Sequence, residues 1–266
     1  MKKKVPFRDK NIFFNDIGQG NPIVLLHGYL ESKEIWGDFA ESFAKYNRVI
    51  AIDLPGHGET GFIDNIHSME MMAESVKNVL DFLLIHKAAI IGHSMGGYVA
   101  LAIVDLFPYY VAGFSLFHSS PFADTPDKRE MRQREIEVIK AGKKNQLISA
   151  HFPKIFADTH IEKYAEIIEK AKTEAYNISD YAMMATLEGM KIRKDRSSVL
   201  KHTNKPFLII LGAKDNFIPV EIIEKIELPP IHHILFLNNA GHCGFIEDKD
   251  KSVAEVWSFV EQLNFD

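Results

Sequence analysis

Residues 88–97 read AAIIGHSMGG and place Ser94 between two glycines, directly after an apolar run. The run Ala88–Ile91 is typical of a buried strand, and the apolar spacing of Tyr98–Phe107 predicts a helix soon after it. A G-x-S-x-G sequence in a sharp strand-to-helix turn raises the serine hydroxyl above the edge of the sheet. The stretch therefore predicts a nucleophilic serine rather than one that only caps a helix.

The glycines around Ser94 follow from the tightness of such a turn. Side chains at Gly92 and Gly96 would collide with neighbouring backbone, and Gly97 adds room at the start of the helix. Ser94 itself is expected to adopt strained backbone angles. The helix start also directs the N–H of Met95 at the reacting centre, which makes this amide the first expected oxyanion donor.

Outside this stretch, short apolar runs alternate with helical patterns. Runs without polar alternation indicate strands buried on both faces, so the predicted fold class is α/β, with a mostly parallel central sheet flanked by helices. The other predicted strands are Asn11–Ile17, Ile23–Leu26, Val49–Ile52, Val111–Phe117, Phe207–Leu211 and Ile234–Leu237, and the other predicted helices are Met69–Leu84 and Val253–Leu263.

One region breaks this alternation. From about Phe122 to Val199 the patterns are helical and rich in Lys, Arg and Glu. We interpret residues 120–199 as a helical cap inserted into a core domain made of residues 1–119 and 200–266. Apolar positions near the cap are candidates for substrate contact, although apolar stripes on helices more often serve packing. The candidates are Leu30, Phe122, Phe152, Met183, Met184 and Leu187.

Two loops supply the partners that the serine needs. His242 follows the last strand-like run, and Asp215 follows Phe207–Leu211, so both lie at carboxyl ends of parallel strands. There His242 would act as the base and Asp215 would hold its imidazole. Asp124, which follows Val111–Phe117, is the rival acid.

The loop after Ile23–Leu26 is the expected second side of the oxyanion hole. The backbone N–H of Tyr29 or of Leu30 would donate there, with Tyr29 favoured. His27, Gly28 and, beside the serine, His93 are expected to support the site rather than react.

Composition limits the function classes. The net charge of −5 argues against nucleic acid as the main partner. Lys2-Lys3-Lys4 is interpreted as a solubilising terminus, and Arg8-Asp9-Lys10 interrupts any signal-peptide-like stretch. No apolar run is long enough to span a bilayer. Cys243 is the only cysteine, which favours a reducing, cytoplasmic location.

Two other motifs are set aside. Residues 56–61 contain a formal G-x-G-x-x-G, but the next helical pattern begins only near Ser68, which does not fit a dinucleotide site. His232-His233 and His93 are not expected to bind a metal, because no carboxylate or cysteine completes a set at ligand spacing.

Taken together, the chain resembles the α/β-hydrolase family over nearly its whole length. The resemblance rests on His27-Gly28, residues 53–58 (DLPGHG), Gly92–Gly97, Asp215, and Gly241-His242 with the following Phe and Glu. It implies a Ser94–Asp215–His242 triad, oxyanion donors at Tyr29 and Met95, a helical cap and no cofactor.

The resemblance also indicates which of the family's reactions this chain is expected to catalyse. Haloalkane dehalogenases and epoxide hydrolases of the family have aspartate where this chain has Ser94. The menaquinone-pathway lyase branch tends to have arginine where this chain has Tyr98. The expected activity is hydrolysis of a small-molecule carboxylic ester or related acyl bond by water. The alternatives are same-triad C–C hydrolysis, lyase chemistry or perhydrolysis, and a non-enzymatic receptor on the same fold. The oligomeric state stays open.

Overall fold

The computed structural model describes residues 2–230 and 232–266. Within these residues eight strands form one sheet, in the order β1-β2-β4-β3-β5-β6-β7-β8. β2 runs antiparallel to both of its neighbours, and the strands from β4 to β8 pair in parallel. In chain order the strands are β1 (Lys2–Phe7), β2 (Lys10–Ile17), β3 (Pro22–Leu26), β4 (Arg48–Ile52), β5 (Ala88–His93), β6 (Val111–Phe117), β7 (Phe207–Gly212) and β8 (His232–Leu237).

The central strands are the continuous apolar runs of the sequence. Every residue of β5, β6 and β7 is buried, because helices cover this part of the sheet. The predicted α/β fold class with a mostly parallel sheet is confirmed. The predicted strand bounds differ from the observed ones by at most two residues.

The lysines near the start of the chain do not form the frayed terminus that the sequence suggested. Lys2, Lys3 and Lys4 belong to β1, an edge strand that pairs with β2. The Nζ atom of Lys3 lies 2.7 Å from the Asp16 carboxylate on β2. Lysines on an edge strand hinder its pairing with strands of other chains. The lysine run therefore protects the exposed edge of the sheet.

Helices complete the core around the sheet. α1 packs against α10 and α2 against α3, while α3 also contacts β5 and β6. α2 begins after Ser68, whose hydroxyl accepts a hydrogen bond from Met71 N as an N-cap. These helices are α1 (Gly37–Ala44), α2 (Met69–Phe82), α3 (Met95–Leu106), α9 (Gly244–Glu247) and α10 (Lys249–Glu261).

The connection from β6 to β7 contains only helices, turns and loops. α4 packs against α7, and α5 contacts both α4 and α6. Thr125 and Ser179 cap the starts of α4 and α7 through their side-chain oxygens. The helices are α4 (Pro126–Lys140), α5 (Lys144–His151), α6 (Ala165–Tyr176), α7 (Asp180–Lys191) and α8 (Ser197–His202).

Among the described residues, no helix combines the length and the apolar character that crossing a lipid bilayer requires.

Candidate active site

Ser94 occupies the turn between β5 and α3 with φ 51° and ψ −114°. Positive φ is costly for a residue with a Cβ, so the predicted strain is confirmed. A Cβ added to Gly92 would lie 2.3 Å from the Gly96 carbonyl oxygen, and one added to Gly96 would lie 2.1 Å from the Leu26 carbonyl oxygen. Gly92 is therefore needed for the turn to close on itself, and Gly96 for the turn to pack against β3. A Cβ on Gly97 would meet the Ser119 hydroxyl at 2.4 Å.

The predicted acid and base lie in contact. His242 Nδ1 is 2.7 Å from Asp215 Oδ2, and the Asp215 side chain is fully buried. The other carboxylate oxygen, Oδ1, accepts hydrogen bonds from Phe217 N at 2.7 Å and Ile218 N at 3.0 Å. Burial alone would raise the pKa of Asp215, but the charge of His242 and the contacts with His118 and His242 outweigh it and hold the pKa well below its usual value. Asp215 is thus a carboxylate at neutral pH.

Sequence reasoning missed His118, the residue that follows β6. Its Nδ1 lies 3.2 Å from Asp215 Oδ2, and its Nε2 accepts a hydrogen bond from Gly244 N at 3.1 Å. Burial lowers the pKa of His118 to about 4, so the ring is neutral. Gly212 N also lies 3.2 Å from Nδ1. A neutral ring carries one proton, so Nδ1 and Nε2 cannot both accept, and with Nε2 as the acceptor the proton on Nδ1 faces Asp215. The signal was available, because β6 lies between β5 and β7 and ends at the same edge of the sheet.

The rival acid Asp124 is engaged elsewhere. Its side chain is buried and accepts hydrogen bonds from the guanidinium groups of Arg132 and Arg193. Asp124 therefore joins α4 to the end of α7, and Asp215 is the carboxylate that contacts His242.

The loop after β3 is held by its own side chains. Gly28 N donates to Glu31 Oε2 at 2.6 Å, and Leu54 N donates to His27 Nε2 at 3.0 Å. His27 Nδ1 donates to the Gly28 carbonyl oxygen at 2.8 Å, and burial lowers the pKa of His27 to about 4. A neutral His27 thus orders this loop, which leads into Tyr29.

His93 links this loop to the base. Its Nδ1 lies 2.9 Å from Glu31 Oε2, and its Nε2 lies 2.8 Å from the His242 carbonyl oxygen. Burial would lower the pKa of His93, but the Glu31 carboxylate overrides this and raises it. Burial would likewise raise the pKa of Glu31, and His93 lowers it to about 2. The two groups form a buried ion pair that fixes the backbone of residue 242.

The expectation that no set of ligand types surrounds His93 was wrong. Glu31, His93 and Cys243 have their potential ligand atoms within 4.8 Å of one another, as do His118, Asp215 and His242. Both ring nitrogens of His93 act as donors, so neither offers a lone pair to a metal. Burial raises the pKa of the Cys243 thiol well above its usual value, which keeps it protonated.

With this geometry in place, comparison with known proteins gives the family. A family profile described as the alpha/beta hydrolase fold matches residues 21–249. The chain belongs to the α/β-hydrolase family. A thermophilic esterase from Thermogutta terrifontis, solved with malate bound, superposes with a TM-score of 0.90 at 26% identity over 98% of both chains.

Two curated relatives of this α/β hydrolase differ in length. A pimeloyl-[acyl-carrier protein] methyl ester esterase from Vibrio campbellii is 26% identical, over 94% of this chain and 98% of the relative. A dihydrolipoyllysine-residue acetyltransferase component of an acetoin cleaving system from Pseudomonas putida is 30% identical over 91% of this chain. The chain covers only 64% of the length of that second protein. This α/β hydrolase is an enzyme of the hydrolase class, with esterases among its relatives.

Ser94, His242 and Tyr29 of the α/β hydrolase border one cavity of about 450 Å³. Such a volume suits a small-molecule ligand. Although Ser94 and His242 share this cavity, the described part of the chain shows no hydrogen bond between the Ser94 hydroxyl and His242. Catalytic hydrogen bonds are often long in free enzymes and shorten when substrate binds.

The expected substrate contacts require correction. Leu30, Phe152, Met183 and Leu187 are buried in the core, and Phe122 and Met184 pack against it half-buried. None of the six borders the cavity that contains Ser94. The apolar stripes of the helical segment face inward to the core, as apolar stripes usually do. Half of the cavity-lining residues that the segment supplies are polar, namely Lys128, Arg132, Glu135, His151 and Lys154, and the other half are apolar.

Proposed function

We propose that this α/β hydrolase cleaves a carboxylic ester, or a closely related acyl bond, through Ser94, His242 and Asp215. The observation that carries the proposal is the 2.7 Å contact of His242 Nδ1 with the buried, ionised Asp215. His242 borders the same cavity as Ser94. With Nδ1 held by the carboxylate, Nε2 is the nitrogen left to accept the Ser94 proton.

The reaction has two acyl-transfer steps. His242 takes the hydroxyl proton as Ser94 Oγ attacks the ester carbonyl carbon, and a tetrahedral oxyanion forms. The carbonyl re-forms as the C–O bond to the alcohol breaks, and the alcohol leaves with the proton from His242. Water then attacks the acyl-enzyme with His242 again as base, and the acid is released as Ser94 regains its proton.

The oxyanion is stabilised by two backbone amides in this proposal, those of Met95 and Tyr29. Met95 is the first residue of α3, where the N–H has no acceptor within the helix and the helix dipole favours negative charge. Leu30 N is the less favoured alternative for the second donor.

We also propose that residues 120–199 serve as a cap over the site. Residues of α4 and α5 border the Ser94 cavity, and a cover that excludes water strengthens the electrostatic contacts beneath it. The route uses only side chains, amides and water, so the proposal includes no cofactor. A cytoplasmic location is proposed from the single, buried cysteine.

A panel of p-nitrophenyl esters of increasing acyl length, assayed with wild type and Ser94→Ala, tests the function. We expect wild type to turn over at least one ester, and Ser94→Ala to lose roughly a thousandfold or more in kcat. Ser119→Ala is a suitable control, because among the described residues its hydroxyl binds only the backbone carbonyl oxygen of Ser94, at 2.7 Å, and not the reacting hydroxyl.

Failure on every ester would contradict the proposal. Activity on a vinylogous diketone instead would assign C–C bond cleavage by the same residues. Absence of any turnover, together with tight binding of a small ligand, would assign a receptor.

A further inference from the structure

One face of α4 forms a wall of the Ser94 cavity. Lys128, Met131, Arg132 and Glu135 all border it, and their spacing of three and four residues places them on one side of the helix. Lys154 borders the cavity from the turn after α5. This wall is therefore charged, and its cations outnumber its carboxylates.

The other carboxylate on the cavity, Glu31, is compensated. It pairs with His93 at 2.9 Å within the ion pair described above. Glu135 is then the one uncompensated carboxylate among the described cavity residues, against Lys128 and Lys154. Arg132 adds to the positive charge because it shares the single carboxylate of Asp124 with Arg193. The wall therefore has a surplus of positive charge beside the proposed nucleophile.

Arg132 is the cation best placed to hold a ligand. It is only 9% exposed, so its position is fixed by packing. Its Nε and Nη2 donate to Asp124, which also accepts from Arg193, so that two guanidinium groups share one carboxylate. A guanidinium has five N–H donors, and the Nη1 group of Arg132 has no acceptor among the described residues.

The second guanidinium, Arg193, is already engaged. It donates to the carbonyl oxygens of Phe122 and Met190 at 3.1 Å each, and it lies 4.0 Å from the centre of the Tyr98 ring. Arg193 therefore binds Asp124 without bordering the cavity, whereas Arg132 borders it.

Tyr29 adds an unpartnered hydroxyl to the same cavity. The residue is 9% exposed, and its buried hydroxyl has no hydrogen-bond partner among the described residues. Burial raises the pKa of Tyr29 well above its usual value, with the charge of Glu135 raising it further and that of Arg132 lowering it. The hydroxyl is thus a protonated donor within electrostatic reach of Arg132. Buried polar groups without partners are rare in folded proteins, and one in a residue that borders a cavity is free to bind a polar group that enters the cavity.

We propose that Arg132 and the Tyr29 hydroxyl bind a carboxylate of the substrate. The preferred substrate is then a half-ester of a short dicarboxylic acid, with the free carboxylate on Arg132 and Tyr29 and the ester at Ser94. Carboxylates are the anions that a planar guanidinium binds most specifically. This inference names the substrate class for the proposed hydrolysis and depends on that proposal.

Matched pairs of substrates test it. The assay compares the monomethyl esters of succinate, glutarate and adipate with the isosteric esters in which a neutral carboxamide replaces the free carboxylate. We expect wild type to favour at least one carboxylate ester, measured as the ratio of kcat/KM values within the pair. Arg132→Gln should lower that ratio by about ten- to a hundredfold, chiefly through KM, because a hydrogen bond to a charged group is lost.

Three further variants sharpen the test. Tyr29→Phe removes only the unpartnered hydroxyl and should also lower the ratio. If Arg132→Gln does not fold, Tyr29→Phe alone tests whether the carboxylate subsite exists. Glu135→Gln removes the one uncompensated carboxylate and should raise the ratio. Arg134→Gln is the matched control on the same helix, because Arg134 is exposed and pairs with Glu130, and its ratio should equal that of wild type.

A ratio at or below one for every pair in wild type would overturn the subsite, as would an unchanged ratio in both Arg132→Gln and Tyr29→Phe. If no ester is turned over at all, the proposed hydrolysis fails, and calorimetry with free glutarate tests the subsite separately. Glutarate binding to wild type that is lost in Arg132→Gln would retain the subsite, and no binding to wild type would refute it.

Discussion

The residues of the candidate site differ in how well their roles could be predicted from the sequence. Ser94, Asp215 and His242 each follow a strand of the parallel sheet, so strand patterns and one motif were enough to select them. Glu31 and His118 were not selected. Their roles depend on contacts with residues 62 and 97 positions away, and no local pattern records such contacts.

His118 is the residue whose role is most open to test at this scale. We interpret it as a positioning residue that holds Asp215 through Nδ1. His118→Ala should lower kcat by about ten- to a hundredfold with little change in KM. The acid limb of the pH–rate profile should move to higher pH, because a carboxylate with one donor fewer holds the imidazolium of the base more strongly.

The conservative variant His118→Asn supplies the control for this prediction. Its amide N–H replaces the Nδ1 donor, so most of kcat and the wild-type pH profile should return. Equal losses in the Ala and Asn variants, with an unmoved pH profile, would assign His118 a purely structural role.

The Glu31–His93 pair predicts how stability changes with pH. The pKa of Glu31 is lowered from 4.5 to about 2, so its stabilisation is present above pH 4.5 and is lost as the pH falls from 4.5 towards 2. The pKa of His93 is raised above 6.5, so its stabilisation is present below pH 6.5 and is lost as the pH rises through the raised value.

Urea unfolding of wild type and Glu31→Gln, from pH 2 to above pH 6.5, measures the contributions of Glu31 and His93 to stability. The free energy of unfolding of the variant should fall less steeply than that of wild type between pH 4.5 and 2. Parallel curves for the two proteins would show that the pair is not charged in the folded state.

Elements of the fold were predicted well where a strand is buried on both faces, and less well elsewhere. β3 to β7 contain the continuous apolar runs and are almost wholly buried, which explains the close agreement of their bounds. β8 is mostly half-buried or exposed, and its first two residues, both histidines, were left out of the predicted strand. β1 was missed because lysines fill half of it, and its pairing with β2 outweighs that composition. The six candidate substrate contacts do not border the Ser94 cavity. An apolar stripe shows that a helix is amphipathic but not whether the stripe faces the core or a cavity.

The anchoring of α4 and α7 provides a prediction for the helical segment. Asp124→Asn leaves Arg132 and Arg193 without their shared carboxylate, and we expect unfolding to become easier by roughly 3 kcal/mol. Because Asp215 contacts the base, the folded variant should still react with a fluorophosphonate probe at Ser94. Denaturant unfolding and probe labelling measure the two effects.

Asp127→Asn is the control for this variant, since Asp127 lies at the start of α4 and is exposed. Abolished labelling in a folded Asp124→Asn protein would reinstate Asp124 as the acid.

At the scale of the whole molecule, the candidate site depends on the sheet order. β6 lies between β5 and β7, and β8 follows β7, so the loops with Ser94, His118, Asp215 and His242 converge at one edge. The convergence was predictable, because parallel strands end on one side of a sheet. The charged wall of the Ser94 cavity was not, since it depends on how α4 and α5 lie over that edge.

Labelling of Ser94 by a fluorophosphonate probe, followed by peptide mass spectrometry, tests the central claim most directly. We predict one adduct, on the peptide that contains Ser94, with the labelling rate reduced by about a hundredfold or more in His242→Ala and clearly reduced in Asp215→Asn. A folded wild-type protein that leaves Ser94 unlabelled, or one that labels as fast in His242→Ala, would contradict the claim.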